Sequence, residues 1–184
     1  MGVLRRTEDV TTVTLDPPRT ARLAPPSFAA VAEQHLEDVY GYLLYLSRNA
    51  TLAEDLASET FEKALRRWKR YDPLRGTTRT WLLAIARTTA LDWFRAEERR
   101  RKREQAVALE DVHVDALGEG LSPELERALA TLSAAEREVI VLRVVLELDG
   151  EAAARVLGIT PTACSTRLSR ALKRLEERMG DELS

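Results

Sequence analysis

One four-residue break, Leu157-Gly158-Ile159-Thr160, constrains this chain more than any other stretch. Gly158 suits the left-handed position that ends a helix, Thr160 suits an N-cap, and Pro161 suits the first turn of a following helix. Two helices are therefore predicted between Glu151 and Leu175. The second sorts its residues cleanly: Cys164, Leu168, Ala171, Leu172 and Leu175 fall on one stripe at spacings of three and four. Ser165, Thr166, Ser169, Arg170 and Lys173 fall on the other face. A short helix, a glycine turn and a helix with a polar, basic outer face make the helix-turn-helix arrangement that enters a DNA major groove.

Bulk properties narrow the rest. The chain has 184 residues, enough for one large or two small domains, with 45% hydrophobic and 32% charged residues, as in a soluble helical protein. A net charge of −2 argues against nucleic-acid binding unaided, so the distribution of charge matters more than its sum. No apolar run is long enough to span a bilayer, and Arg5 and Arg6 have no apolar core after them, so neither a membrane span nor a signal peptide is expected. One cysteine leaves no internal disulfide, which fits a reducing cytoplasm. Two distant histidines and that cysteine make no metal site. With no nucleophile–base pair and no phosphate loop either, neither a cofactor nor an enzymatic activity is expected.

Residues 1–26 carry Pro17, Pro18, Pro25 and Pro26 without helical periodicity and read as a flexible leader. From Ser27 the period is helical, with Phe28, Val31, His35, Val39, Leu43 and Leu46 recurring every three or four residues. A second helix is predicted from Thr51, with Glu54 completing a capping box and Leu52, Leu56, Phe61, Leu65 and Trp68 as its inner stripe, ending near Tyr71-Asp72-Pro73. A loop around Gly76 precedes a long helix over 78–103, with Trp81, Leu82, Ile85, Thr89 and Trp93 turned inward. From Glu104 to Glu124 there is no Lys or Arg and several acids, which reads as a linker over 104–121. Extended, it would span about 60 Å at ~3.3 Å per residue, the length of about 17 base pairs at ~3.4 Å per step. A second domain over 122–179 opens at Ser122-Pro123, and 180–184 form a tail. Ser133 and Glu136 predict another capping box, and the β-branched run Val139 to Val145 that follows it directly is read as a buried helix rather than a strand. The fold class expected is all-α: two small helical domains joined by an acidic flexible linker, the C-terminal one bearing the helix-turn-helix.

The segments AEDLASETF (Ala53 to Phe61), RTWLLAIARTTALDWFR (Arg79 to Arg95), LSAAEREVIVLR (Leu132 to Arg143), ARVLGIT (Ala154 to Thr160) and STRLSRALKRL (Ser165 to Leu175) together resemble the extracytoplasmic-function group of bacterial RNA polymerase sigma factors. The resemblance covers about residues 27 to 179, in family order. It implies that 27–103 correspond to region 2, which binds the polymerase clamp and the −10 element, and 122–179 to region 4, which binds the −35 element and the polymerase flap. It also implies an anti-sigma partner, and a cytoplasmic, nucleoid-associated location.

Residue by residue, the resemblance places −10 recognition on Arg75, Gly76, Thr77, Thr78, Arg79 and Thr80, where hydroxyls and an arginine suit an unstacked base. Arg95, Arg99 and Arg100, within the basic run to Arg103, abut that loop and suit phosphates; the same cations also suit the negative end of a helix dipole. For the −35 duplex the positions are Thr162, Ser165, Thr166, Arg167, Ser169, Arg170 and Lys173, with Arg170 able to pair with guanine. For the clamp they are Asp55, Ser58, Glu59, Thr60 and Lys63, on the outer face of the second helix. Spacing favours core packing over base stacking for Trp68, Trp81 and Trp93 and leaves Phe94 open. Three departures from the family pattern stand out: Ser58 where Gln is usual, Ser165 where a basic residue is common, and Gly150-Glu151-Ala152-Ala153-Ala154 in place of an aromatic-plus-Ile pattern, which predicts a loosely packed first helix. Cys164 on the inner stripe reads as a small buried hydrophobe.

The function expected is that of an alternative sigma factor that binds core RNA polymerase and directs promoter-specific initiation on duplex and single-stranded promoter DNA, with no membrane or small-molecule partner. The alternatives are a stand-alone helix-turn-helix regulator and a helical adaptor without DNA contact.

Overall fold

A computed structural model describes residues 27–104 and 123–182, and every regular element in them is helical. The first body comprises α1 (Phe28–Ser47), α2 (Ala50–Arg67) and α3 (Thr78–Glu104), with 3-10 turns at Trp68–Arg70 and Pro73–Arg75 before α3. The second comprises α4 (Pro123–Ala130), α5 (Ala134–Ile140), α6 (Gly150–Leu157) and α7 (Pro161–Glu182). The leader over 1–26, the linker from 105 onward, the cap expected at Ser122 and residues 183–184 lie outside the described residues.

Local chemistry sets most boundaries. Ser27 caps α1, its Oγ accepting from the Ala30 N–H at 3.2 Å. The helix ends at Arg48, in the left-handed conformation with φ 51°. Asn49 then caps α2, accepting from the Leu52 N–H at 2.9 Å. The box expected at Thr51 and Glu54 does not start this helix: the reversal at Arg48 offers Asn49 as the first acceptor, which leaves Thr51 inside the first turn. The box at Ser133 and Glu136 is present in both directions, at 3.3 and 2.9 Å. The β-branched run is helical as read, but past Ile140 it widens into a π turn over Val141–Val145, closed by the Leu146 N–H on the Val141 carbonyl at 2.8 Å. A π turn carries an extra residue, so the apolar stripe slips. Leu142 and Leu146 stay buried while Val144 and Val145, expected inside, emerge.

Gly158 ends α6 with φ 67°, and the following Ile159 N–H returns to the Ala154 carbonyl at 3.0 Å. A Cβ there would meet nothing within 4 Å, so the cost of Gly158→Ala is purely conformational. Urea denaturation should show a loss of about 1 kcal/mol.

Val31, Val39, Leu43, Leu56, Leu82 and Leu83 fill the first body, and Val139, Leu142, Ala153, Cys164 and Ala171 fill the second. On α2 the buried row is Ala57, Thr60 and Ala64, small residues at helical spacing, which rotates Leu65 outward to 57% exposure against expectation. Leu172 also turns out, because Cys164 and Ala171 define the inner row of α7. Trp93, expected inward, is 36% exposed because it borders a cleft rather than a packed helix. Burial raises the Cys164 thiol above its ordinary pKa, which keeps it an unreactive core group.

The two bodies are docked. α6 packs on α3 as well as on α7, and Ala152, Ala153 and Ala154 are all buried. The loose packing expected of α6 is thus not seen: alanines let its backbone lie close to its neighbours. Beside this apolar seam lies a polar cluster. Glu138 of α5 accepts from the Tyr42 hydroxyl of α1 at 2.7 Å and from Arg87 of α3 at 2.9 and 3.3 Å. Burial, followed by the Glu138 charge, holds the Tyr42 proton well above its ordinary pKa.

Candidate nucleic-acid interface

The segment from Tyr71 to Thr80 is held on two flanks. On one, Trp68 and Tyr71 stack at 5.2 Å with planes 2° apart, and Trp81 lies against both rings. The Tyr71 hydroxyl donates to the Gly76 carbonyl at 2.9 Å. Gly76 itself has φ 151°, a conformation that side chains oppose. On the other flank α1 supports the start of α3. Asp38 receives Arg79 in a bidentate pair at 2.8 and 2.7 Å, and His35 Nε2 meets Thr78 Oγ1 at 2.9 Å. Burial pushes the Asp38 carboxyl up, but the hydrogen bonds and charge of Arg79, aided by His35, outweigh it and leave the pKa below the ordinary value. Thr77 caps α3 by accepting from the Thr80 N–H at 3.2 Å.

The six residues expected to read one element therefore differ in access. Arg75 and Thr77 face solvent. Thr78 and Arg79 are half-buried and engaged with α1. Thr80 is buried, its hydroxyl 3.0 Å from Thr77 Oγ1, and cannot touch a ligand from this position. Sequence reasoning missed Leu74, which stands 94% exposed at the tip of the loop; an apolar residue between Pro73 and Arg75 was the available signal. It also missed Arg155 of α6, whose guanidinium lies beside Gly76, 3.7 Å from where a Cβ there would sit.

Arg95, Arg99 and Arg100 are exposed but do not abut the loop as expected: α3 is continuous from Thr78 to Glu104 and puts them at its far end, about 25 to 33 Å along the helix from Thr78 at ~1.5 Å per residue. Arg95 pairs with Asp92 at 3.1 Å, Arg100 and Arg101 with Glu97 at 3.0 and 3.3 Å, and Lys102 with Glu98 at 2.6 Å. The Arg95–Asp92 and Lys102–Glu98 pairs are exposed on both sides, and pairs of this kind are worth under about 1 kcal/mol each, so a phosphate can displace them cheaply.

On α7, Thr160 caps the helix by accepting from the Ala163 N–H at 3.2 Å. Cys164 and Ala171 face inward, which leaves Thr162, Ser165, Thr166, Ser169, Arg170 and Lys173 on the open face, with Arg167 half-buried. Lys173 lies 3.8 Å from Glu177. Arg174 was not singled out from sequence, yet it ties α7 to the cap of α5 by bonding both carboxylate oxygens of Glu136 at 2.9 and 3.0 Å.

On α2, Asp55, Ser58 and Glu59 face solvent. Lys63 is half-buried, pairing with Glu59 at 2.8 Å and donating to Thr89 at 3.2 Å. Thr60 departs from the expected outer face. It is fully buried with its hydroxyl donating to the Leu56 carbonyl at 2.7 Å, because it belongs to the small-residue row that packs α2 inward. Among the described residues there is no metal-holding group of side chains, and no helix is long and apolar enough to cross a membrane.

This geometry has known counterparts. Family models for Sigma-70 region 2 and Sigma-70, region 4 match residues 31–100 and 122–175. RNA polymerase sigma factor CarQ of Myxococcus xanthus is 32% identical, over 86% of this chain and 92% of its own length. ECF RNA polymerase sigma factor SigX of Bacillus subtilis is 27% identical, over 83% of this chain and 84% of its own. Among solved structures, sigma factor RpoE in complex with the anti-sigma factor NepR, from Bartonella quintana, superposes with a TM-score of 0.68 at 26% identity, covering 83% of this chain and 96% of that one.

Proposed function

This chain belongs to the extracytoplasmic-function group of RNA polymerase sigma factors, and we propose that its two docked bodies divide promoter recognition between them. It directs promoter-specific transcription initiation through core RNA polymerase and makes no covalent bond itself. In our reading residues 122–179 take the −35 duplex on the outer face of α7, through Thr162, Ser165, Thr166, Ser169, Arg170 and Lys173, with Arg167 at the edge. Residues 27–103 hold an unstacked −10 base at the loop of Arg75, Gly76 and Thr77, while Arg95, Arg99 and Arg100, at the other end of α3, take phosphates farther along the DNA. Asp55, Ser58 and Glu59 on α2, with Lys63 beside them, meet the polymerase clamp, and the second body meets the flap. An anti-sigma protein, such as the one bound to the Bartonella relative, is the expected regulator, and the cytoplasm the expected compartment.

The observation that carries this reading is the recognition helix: six polar or basic side chains lie open behind a capped glycine turn, while Cys164 and Ala171 lock the opposite face. Run-off transcription with core polymerase and a promoter library tests it. The parent chain should give promoter-specific transcripts, and Arg170→Glu with Lys173→Glu should lower them at least about tenfold, since two favourable phosphate or base contacts become repulsive. Unchanged transcripts from the doubly reversed chain would favour the adaptor reading. Tight binding to duplex DNA without polymerase would favour the stand-alone regulator.

A further inference from the structure

The geometry points to Asp38 and His35 of α1 as positioning residues for the −10 loop, and to Arg79 as a strut between helices rather than a reader of bases. This rests on the reading above that the loop holds the unstacked base.

Arg79 spends its Nε and one Nη on the two Asp38 oxygens, in the parallel bidentate arrangement that fixes a guanidinium most firmly. Both side chains are under one-third exposed. Arg75, four residues earlier, is solvent-facing and its guanidinium has no partner among the described residues, so it is the arginine available to a ligand. His35 lies in the same cluster, with Nδ1 3.6 Å from Asp38 and Nε2 on Thr78. These bonds cross 41 and 43 residues of sequence and fall on the first two residues of α3, immediately after Thr77. Tyr71 fixes the opposite side through the Gly76 carbonyl. A loop held on both flanks does not pay the ordering entropy when a base enters it, which is what capture of a transiently unstacked base requires. Remove the α1 flank and the pocket loosens for every base equally.

The test uses the full chain assembled with core polymerase. Open-complex formation is followed by 2-aminopurine fluorescence in the −10 element on promoters carrying each of the four bases at each −10 position. Core affinity and binding to a −35 duplex are measured alongside. Asp38→Asn and Arg79→Asp should each slow opening about tenfold by the same factor on every −10 sequence, with core and −35 binding unchanged. The exchanged pair, Asp38→Arg with Arg79→Asp, should regain most of that loss, and His35→Gln should cost less than Asp38→Asn. A loss at Arg79→Lys confined to one base at one position would make Arg79 a reader and overturn the inference. So would normal opening by Asp38→Asn. Arg75→Ala serves as the separate check on the underlying reading: if it opens promoters normally on all sequences, capture of a base by this loop fails, whatever the Asp38 variants do.

Discussion

Glu138→Ala is expected to cost this chain about 3 kcal/mol, lowering the midpoint of thermal unfolding by roughly 10 °C. Glu138 is 7% exposed and accepts three hydrogen bonds, all from the other body. Truncation strands a buried tyrosine hydroxyl and leaves Arg87, itself only 22% exposed along its side chain, without its counter-charge. Orphaning one partner of a buried pair is costlier than never having had the pair, and that asymmetry sets the size of the effect. Tyr42→Phe removes one donor and leaves the Arg87–Glu138 pair intact, so it should cost about 1 kcal/mol. Glu138→Gln keeps an acceptor for Tyr42 but loses the charge, and should fall between the two. Because the cluster joins the bodies, the alanine variant should also melt in two steps where the parent melts in one. A single transition within 1 kcal/mol of the parent would mean that the apolar seam of α3 and α6 alone holds the bodies together.

What was legible in the sequence is what is written within four residues of itself. The Ser133–Glu136 box and the Gly158-Ile159-Thr160-Pro161 turn are local hydrogen-bonding grammar, and both are present. The open face of α7 followed from helical period alone, since Cys164 and Ala171 leave only one inward direction. Errors of one residue in phase came where small residues compete for the core: Ala57, Thr60 and Ala64 outrank the larger Leu65 because they allow a close approach. The π turn at Val141–Val145 has no spacing signature, so an unbroken helical period predicts Val144 and Val145 inside where the structure has them exposed. Partners far along the chain were beyond reach. Tyr42 and Glu138 are 96 residues apart, and nothing near either names the other. The same holds for Asp38 and Arg79, which is why a residue matching the family's base reader could not be recognised as a strut.

The second large effect expected is a change of shape. In the docked arrangement Arg155 of α6 lies against Gly76 of the loop that we assign to the −10 element. The proposed −35 face is on α7, which packs directly on α6. The linker over 104–121, about 60 Å when extended at ~3.3 Å per residue, lets the two faces stand about 17 base pairs apart at ~3.4 Å per step, and no pose with α6 against that loop uses that reach. On the proposed division of labour the bodies are expected to part when polymerase and promoter are engaged, with the bonds of Glu138 among those that break. Dyes attached at Glu54→Cys on α2 and Glu176→Cys on α7, both exposed, report the distance by energy transfer. The free chain should show high transfer that collapses on assembly with core polymerase and promoter DNA. Glu138→Ala should lower transfer already in the free chain, since a ligand or mutation that disfavours one state shifts the population toward the other. Transfer that stays high in a transcribing complex would refute the division of labour between the bodies, because a chain that remains closed cannot span the two elements.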